Sequence, residues 1–298
     1  MSSAAHQHWQ EHATAWAKAD IAKEYNSSGG KLMHGPINAL LEQSGVVAAA
    51  RRGERVKLWD NACGTGHVAG YFHDATRDIL SKTWSITCTD LSAAMVDSVK
   101  KRSAEEEWHN VEVLVADAQD TNLPDGHFSH VLTSFGFGNF PSSDRALNEI
   151  SRCLAPGGVI GITTWQMLGW PSVFERGLEL LGISYTVPNL LVAYKQRSGY
   201  DWASTDETYQ ALSNHSWSDI QVKTQHSVTE FTREEIVQNV GWKNMFGGLA
   251  TRMPEDHRVN IDAVFEALSL RWDEAFGEGG TAKMSMVAII ATARKPQL

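Results

Sequence analysis

The sequence has no apolar run of membrane-spanning length, no run of basic residues and only three cysteines. The first absence argues against a transmembrane helix, and the polar N-terminal segment holds no apolar signal, so we expect a cytoplasmic protein. The second absence, with a net charge of −9, disfavours nucleic acid and anionic membranes as partners. Cys63, Cys88 and Cys153 are scattered and odd in number, which favours reduced, buried thiols over a disulfide framework or a zinc site.

What the sequence does contain is an alternation of strands and helices that begins at Val56. Its 298 residues, 42% of them hydrophobic, suffice for one large domain or for a core with a cap. Such alternation is typical of a parallel α/β sheet. The strands are predicted at 56–59, 84–89, 111–116, 128–134 and 159–164, with two more at 220–228 and 284–293.

The segments outside this alternation are predicted to be mainly helical. Two helices, 6–24 and 36–50, are separated by a flexible turn at 25–30 and precede the first strand, where they can form a lid. Residues 165–213 break the alternation and hold many aromatic residues. We interpret this stretch as a cap over the ligand end of the sheet.

A glycine-rich turn follows the first strand, where Asp60 ends the strand and Gly64 and Gly66 form the turn. Backbone N–H groups at the start of a helix bind nucleotides, and two interpretations are open. The pattern Gly64-x-Gly66-x-x-Ala69, followed by Asp90, matches a dinucleotide fingerprint, and the same turn matches a loop for S-adenosylmethionine (SAM). Asp60 favours SAM, which carries an ammonium and a sulfonium. A pyrophosphate beside Asp60 would be repelled by about 4 kcal/mol at about 4 Å and an effective dielectric of about 20.

Further polar or unusual residues follow the next strands. Asp90 ends the second strand, Asp117-Ala118 ends the third, and Ser134-Phe135 ends the fourth. In a doubly wound sheet, ligands bind outside the carboxyl ends of the strands. One acid at a strand end is commonplace, because Asp caps turns and helices. Three in succession favour a single binding site.

At these residues the chain resembles the class I SAM-dependent methyltransferases. The resemblance covers residues 25–165 and the final strand pair. It rests on five motifs: Leu58-Trp59-Asp60-x-Ala62-Cys63-Gly64-Thr65-Gly66, Asp90-Leu91-Ser92, Asp117-Ala118, Leu123-Pro124-Asp125 and Leu154-Ala155-Pro156-Gly157-Gly158. More narrowly, residues 60–66, Phe135-Gly136-Phe137 and Thr164-Trp165 look like fungal natural-product methyltransferases of the gliotoxin bis-thiomethyltransferase type. Ala62 stands where the broad family usually has glycine.

The resemblance implies a Rossmann-like class I methyltransferase sheet with N-terminal lid helices and a helical cap insertion. It divides the chain into lid helices at 1–52, a SAM-binding core at 53–165, a cap insertion at 166–216, and a C-terminal part of the core with further cap helices at 217–298. The implied function is methylation of a small, largely apolar natural product of secondary metabolism at a thiol, hydroxyl or amine, by a monomer or homodimer. A SAM-binding regulator or a non-methylating natural-product enzyme is the alternative, and an NAD-dependent oxidoreductase is less favoured.

The resemblance also assigns the parts of SAM to residues of this sequence. The methionine end is assigned to the glycine-rich loop and the lid, that is, to Asp60, Ala62, Gly64, Gly66 and Tyr25. Tyr25 is equally well explained as a tyrosine that ends a helix. Ribose and adenine are assigned to the next two strand ends, that is, to Asp90, Leu91, Met95, Asp117, Ala118 and Gln119. The segment under the sulfonium is Ser134 and Phe135.

The acceptor pocket and any general base are less well defined by the sequence. The aromatic and apolar candidates for the pocket fit a protein core as well, and they are Phe137, Phe140, Trp165, Trp170, Trp242, Met245 and Phe246. No catalytic residue is assigned, although the histidines considered as bases are His34, His67, His127 and His130. No metal is expected, and we interpret the cluster of His6, His8 and His12 as a solvated helix face.

Overall fold

The computed structural model describes residues 19–79 and 83–297, with side chains in the first helix from residue 30 onward. The chain forms a seven-stranded sheet in the order β3-β2-β1-β4-β5-β7-β6. The strands are β1 Val56–Asn61, β2 Trp84–Asp90, β3 Val111–Val115, β4 Phe128–Ser134, β5 Leu154–Met167, β6 Ser218–Phe231 and β7 Ala282–Arg294. The predicted Rossmann-like α/β fold is therefore confirmed.

Strands β1 to β5 are parallel, and β7 runs antiparallel to both β5 and β6. The strand order reverses between β1 and β4, so the carboxyl ends of these two strands flank a crevice at the switch point of the sheet. Register pairs such as Asp60 with Cys88 and Asp60 with Leu132 align the ends of β2, β1 and β4. The sequence-predicted strand ends are thus brought to one edge.

The helices cover both faces and the ligand edge of this sheet. They are α1 Ala19–Ser44, α2 Val46–Arg51, α3 His67–Thr76, α4 Ala93–Glu105, α5 Ser143–Cys153, α6 Pro171–Leu180, α7 Ala193–Ser198, α8 Thr205–Asn214, α9 Arg233–Val237, α10 Val240–Ala250, α11 Ile261–Leu270 and α12 Trp272–Phe276. Among the residues that the structure describes, no helix is long and apolar enough to cross a membrane.

The N-terminal region differs from its prediction. Helix α1 continues through residues 25–30, where a flexible turn was expected, and Pro36 lies inside it rather than near the start of a second helix. Burial of Ile37 and Leu40 against the sheet outweighs the weak helix propensity of glycine and proline. Gly45, in the left-handed region at φ 72°, then separates α1 from α2. Most of the helix predicted at 6–24 lies outside the described residues.

The segment predicted as a cap, 166–216, packs in two places. Helix α6 belongs to an apolar cluster with α10 and α11, in which Phe174, Phe246 and Leu268 are fully buried. Trp202 and Leu212 instead pack with residues of β4 and α5 in the core of the sheet. The first part of the segment 166–216 therefore packs with the C-terminal helices, and its last part packs in the core of the sheet.

A polar network fixes the loop that connects β3 to β4. The Glu149 carboxylate on α5 accepts hydrogen bonds from the Thr121 N–H at 2.8 Å and from Arg152 Nη2 at 2.7 Å. Arg152 also donates to the Leu123 carbonyl at 2.7 Å and to the Asp125 carboxylate. The Arg152 guanidinium, followed by the Thr121 donors, lowers the pKa of Glu149 to about 2.

We predict that Glu149→Gln lowers the free energy of unfolding at pH 7 by about 2 kcal/mol, because it replaces an ionised hydrogen-bond acceptor by a neutral one. The folded-state pKa is depressed, so this stabilisation is present above the unfolded-state pKa of about 4.3 and is lost as the pH falls toward 2. Urea unfolding should therefore show a difference between variant and wild type that narrows below about pH 5. A constant difference would contradict the assignment, and Glu54→Gln, at an exposed ion pair, serves as the control.

Candidate functional site

A cleft lies at the carboxyl ends of β1 to β4. Its lining includes all the residues predicted to bind the cofactor whose side chains are described, except Asp60 and Gly66. The side chain of Tyr25 lies outside the described residues. The lining residues are Ala62, Gly64, Asp90, Leu91, Ser92, Met95, Ala116, Asp117, Ala118, Gln119, Ser134, Phe135, Gly136, Asn139, Phe140 and Pro141. The strand ends predicted from sequence therefore contribute to one cavity.

Asp60 lies beneath the glycine-rich loop and does not line the cleft. Its side chain is buried, and Oδ2 accepts a hydrogen bond from the Ala69 N–H at 3.1 Å. Among the described residues, Oδ1 has no hydrogen-bond partner. Burial, opposed in part by the Ala69 hydrogen bond, raises the pKa of Asp60 to about 7. The carboxylate thus holds the first turn of α3 and leaves one acceptor oxygen unused.

The loop approaches the neighbouring strand end closely. Ala62 adopts φ 54°, in the left-handed region where glycine is favoured, which accounts for the glycine usual in the family at this position. A Cβ atom on Gly136 would lie 3.2 Å from the Ala62 Cβ, so only small residues fit between the loop and the end of β4. Gly66, at φ 77°, begins α3, and a side chain there would meet Val99 and Trp108.

Asp90 connects this loop to the end of β2. Its Oδ2 accepts the Gly64 N–H at 2.9 Å, and its Oδ1 accepts the Ser92 N–H at 2.9 Å. Burial raises the pKa of Asp90, and these backbone hydrogen bonds oppose the rise. A carboxylate has about four acceptor positions. Asp90 therefore retains acceptor capacity toward the cleft for ligand hydroxyls.

Asp117 and Gln119 form the wall beside β3. The Gln119 N–H donates to Asp117 Oδ1 at 2.9 Å, and the Gln119 side-chain amide donates to the same oxygen at 3.1 Å. Gln119 Oε1 then accepts the Ser142 N–H at 3.0 Å. This side chain links the loop after β3 to the loop after β4, across the cleft wall.

Phe135 leaves the end of β4 with φ 58°. Its N–H donates to the Thr163 carbonyl at 2.8 Å, and its ring stacks on Trp165 with centroids 4.2 Å apart. Ser134 Oγ lies 2.9 Å from Thr163 Oγ1. Trp165 thus supports Phe135 from the neighbouring strand and is not itself part of the lining.

Most of the predicted acceptor pocket is protein core. Phe137 is fully buried against Trp202, with ring centroids 4.6 Å apart. Trp242 and Phe246 are fully buried in the helical cluster, and Trp170 and Met245 pack against that cluster. None of these five residues lines this cleft, and an aromatic at helical spacing serves a core equally well. Their role in an acceptor pocket stays a prediction. Of the seven candidates, Phe140 lines the cleft.

None of the four histidines considered as bases lines the cleft. His127 directly precedes β4 and His130 lies in its first half, toward the opposite end of the strand from Ser134. Burial is the main reason that the pKa of His130 is lowered to about 4. His67 is buried at the start of α3, and His34 packs edge-on against Tyr71.

Other lining residues were not predicted from sequence. Each of them is adjacent in sequence to a residue that was predicted to bind the ligand, so proximity along the chain was the available signal. They are Ser92, Ala116, Gly136, Asn139 and Pro141. No pattern in the sequence indicated a role for Arg102 at this site. Its guanidinium donates to the carbonyls of Thr65 and Gly66 at 3.3 Å, and lies 4.9 Å from the centre of the Trp108 ring. It braces the outer side of the glycine-rich loop.

Comparison with known proteins identifies the family. A family profile described as "Methyltransferase domain" matches residues 59–158. The chain is 29% identical to methyltransferase tpcH of Aspergillus fumigatus, over 90% of this chain and 94% of that protein. It is 28% identical to the acetylaranotin bis-thiomethyltransferase of Aspergillus terreus, over 93% and 96% of the two chains. The chain therefore contains a methyltransferase domain and is similar over most of its length to fungal methyltransferases, which supports a class I SAM-dependent methyltransferase. The predicted family and enzyme class are thus confirmed.

A solved structure shows the same fold. The YcgJ protein of Bacillus subtilis aligns with this methyltransferase at a TM-score of 0.54 and 17% identity, covering 89% of this chain and all of that one.

The cofactor of this methyltransferase is SAM, and the cleft fits its charge. The lining contains the acids Asp90 and Asp117 and, from the described residues, no lysine, arginine or histidine. A pyrophosphate would find no cation there, whereas a sulfonium and an ammonium suit two nearby carboxylates and the buried Asp60. The charge of the cleft therefore disfavours the dinucleotide interpretation.

We predict that Asp60→Asn changes how stability depends on pH. The folded-state pKa of Asp60 is about 7, above the unfolded value of about 3.9, so the wild type loses stability as the pH rises between these values. The neutral, isosteric Asn has no such loss. Relative to wild type, the variant should gain at least about 1 kcal/mol between pH 5 and pH 8, measured by urea unfolding without SAM. A gain of the same size in the exposed control Asp78→Asn would contradict the role of burial.

Proposed function

We propose that this enzyme transfers the methyl group of SAM to a thiol, hydroxyl or amine of a small, largely apolar natural product. The observation that carries the proposal is the composition of the cleft. It is acidic at the ends of β2 and β3 and apolar around Phe135, Phe140 and Pro141. The absence of basic side chains in the described lining disfavours nucleic acid as the acceptor.

In this proposal the acidic end of the cleft holds the nucleoside part of SAM. Asp90 accepts hydrogen bonds from the ribose hydroxyls with the acceptor capacity that Gly64 and Ser92 leave unused. Asp117 accepts from the adenine amino group, and the Ala118 N–H donates to a ring nitrogen. The adenine ring is flanked by Leu91, Met95 and Gln119.

The methionine part of SAM is assigned to the loop beyond β1. The backbone of Ala62 and Gly64 approaches it, Gly66 sets the turn, and Asp60 acts on the ammonium from beneath the loop. Ser134 and Phe135 lie under the sulfonium, with Trp165 supporting the Phe135 ring. Tyr25 would reach the site from α1, and its side chain lies outside the described residues.

When bound, SAM supplies a methyl group that a nucleophile attacks in line with the sulfonium. The cleft residues then have three tasks: to hold both reactants in line, to exclude water, and to leave the nucleophile unprotonated. Orientation alone supplies on the order of 7–11 kcal/mol in favourable cases. Because no histidine lines the described cleft, a thiol, with a pKa of about 8.5, is the acceptor group that needs least help. The bis-thiomethyltransferase among the relatives supports sulfur as the first choice.

Several broader assignments belong to the same proposal. The chain is placed in secondary metabolism, because its relatives include a fungal enzyme named for acetylaranotin. We propose a cytoplasmic monomer or homodimer, with α1 forming part of a lid over the cleft. The net charge of −9 supports a small molecule over an anionic polymer as the acceptor.

Asp90→Ala tests the cofactor assignment. We expect at least about a tenfold loss of SAM affinity, equal to about 1.4 kcal/mol, because two ribose hydrogen bonds are removed. Calorimetry with 5′-methylthioadenosine and its 2′,3′-dideoxy analogue separates this loss from disturbance of the loop. The wild type should prefer the hydroxylated compound and the variant should not. Equal preference in both proteins would refute the ribose role, and Asp97→Ala on the exposed face of α4 is the matched control.

The acceptor chemistry is tested by S-adenosylhomocysteine release with matched aromatic thiols, alcohols and amines. We expect the thiol to react fastest, with a rate that rises about tenfold per pH unit up to the pKa of the thiol itself, because no protein base assists. An inflection near pH 6.5 that stays fixed when the acceptor changes would indicate a histidine base instead. If S-adenosylhomocysteine is released no faster with any of the three acceptor classes than without an acceptor, the methyltransferase proposal is contradicted. The SAM-binding regulator would then be the favoured alternative.

A further inference from the structure

Asn139 lines the cleft but is not among the residues assigned to SAM. Of the five lining residues that follow Ser134 in the sequence, Asn139 is the one with a polar side chain. The other four are Phe135, Gly136, Phe140 and Pro141. Asn139 is exposed, whereas its neighbour Phe140 is buried. A ligand in the cleft can therefore reach the Asn139 carboxamide directly.

A packed turn holds Asn139 in the cleft wall. Asn139 is the last residue of the 3₁₀ turn Phe137–Asn139, and its N–H donates to the Gly136 carbonyl at 2.9 Å. A Cβ atom on Gly138 would clash with the ring of Tyr194, so this turn packs directly against α7. The backbone that carries the carboxamide is thus fixed before any ligand binds.

One half of the Asn139 carboxamide has a partner and the other half does not. Nδ2 donates to the Phe135 carbonyl at 3.4 Å. This long hydrogen bond determines which way the amide points, because Oδ1 in the place of Nδ2 would face another oxygen. Oδ1 accepts no hydrogen bond from the residues that the structure describes. Asn139 therefore offers a hydrogen-bond acceptor next to Phe135, the residue assigned to the sulfonium.

The charge of the cleft favours a ligand group that donates hydrogen bonds. The lining contains the acids Asp90 and Asp117 and, from the described residues, no lysine, arginine or histidine. An anionic ligand group would find no cation there, whereas an N–H or O–H group finds oxygen atoms that accept its hydrogen bond. Phe140 and Pro141 add apolar surface. The cleft thus suits an apolar molecule that presents a hydrogen-bond donor.

We propose that Oδ1 of Asn139 accepts a hydrogen bond from an N–H or O–H group of the methyl acceptor and thereby orients its nucleophile toward the sulfonium. The inference rests on the proposed function and narrows its acceptor class to apolar molecules with a hydroxyl or amide N–H near the nucleophilic atom. A molecule without this donor would displace water from Oδ1 and leave it unpaired, which is unfavourable. Asn139 is a positioning residue, because a neutral carboxamide is not a base.

The test uses two ligands of the same size, 2-acetonaphthone and the alcohol obtained by reducing its carbonyl group. The alcohol alone can donate a hydrogen bond. We expect calorimetry at a saturating concentration of S-adenosylhomocysteine to show that the wild type binds the alcohol at least about fivefold more tightly than the ketone. Asn139→Leu should bind the two ligands within about twofold of each other. Asn148→Leu, on the exposed face of α5, is the matched control and should keep the wild-type preference.

Asn139→Asp separates ligand binding from a structural role. Asn139→Leu and Asn139→Asp both lack Nδ2, so both lose the hydrogen bond to the Phe135 carbonyl, but the aspartate variant keeps an oxygen that accepts hydrogen bonds. A structural role predicts the same loss of preference in both variants. The proposed contact predicts that Asn139→Asp still binds the alcohol more tightly than the ketone.

A wild type that binds the ketone as tightly as the alcohol, or binds neither, overturns the inference. A preference for the alcohol that persists in Asn139→Leu or vanishes in Asn139→Asp also overturns it. If Asn139→Leu does not fold, Asn139→Ala takes its place with the same expectation. S-adenosylhomocysteine should bind every variant within about twofold of the wild type, because Asn139 is not assigned to the cofactor. Failure of S-adenosylhomocysteine to bind the wild type would instead count against the proposed function.

Discussion

The hydrogen bonds from the backbone of Gly64 and Ser92 to the Asp90 carboxylate are the constraint on which the site depends. They join the glycine-rich loop after β1 to the start of α4 after β2, at the edge where the sheet reverses its order. One side chain thereby determines the distance between two strand ends. The same carboxylate lines the cleft, so a ligand that bonds to Asp90 would act on the order of the loop through a single residue.

Other hydrogen bonds from side chains hold the rest of the cleft wall. Gln119 bonds Asp117 on one side and the backbone of Ser142 on the other, while Arg102 holds the carbonyls of the glycine-rich loop from outside. Glu149 secures the segment that follows Gln119. In each case a side chain replaces regular backbone pairing, because loops at strand ends leave N–H and C=O groups without strand partners. The rigidity of the site thus comes from side chains of several elements.

The sequence predicted the sheet well, and most of the candidate cofactor residues line one cleft, because both features depend on local patterns. The contacts of those residues with SAM stay a prediction. A buried strand followed by an acid or glycine is visible in a few residues, as at Asp60 and Asp90. Most of the candidates for the acceptor side do not line the cleft. Phe137 and Trp242 are large aromatic residues of the kind that can line an apolar pocket. Whether such a side chain is buried in the core depends on the segments that pack against it, and no local pattern specifies those segments.

Ala62 and Phe135 both hold left-handed backbone angles, and both line the cleft. For residues with a side chain this conformation costs about 1–3 kcal/mol each, so the free enzyme stores conformational energy in the wall of its own cleft. Natural selection for stability alone would place glycine at these positions. The glycine usual in the family at the position of Ala62 fits this expectation, and alanine there keeps the left-handed loop conformation at an energetic cost.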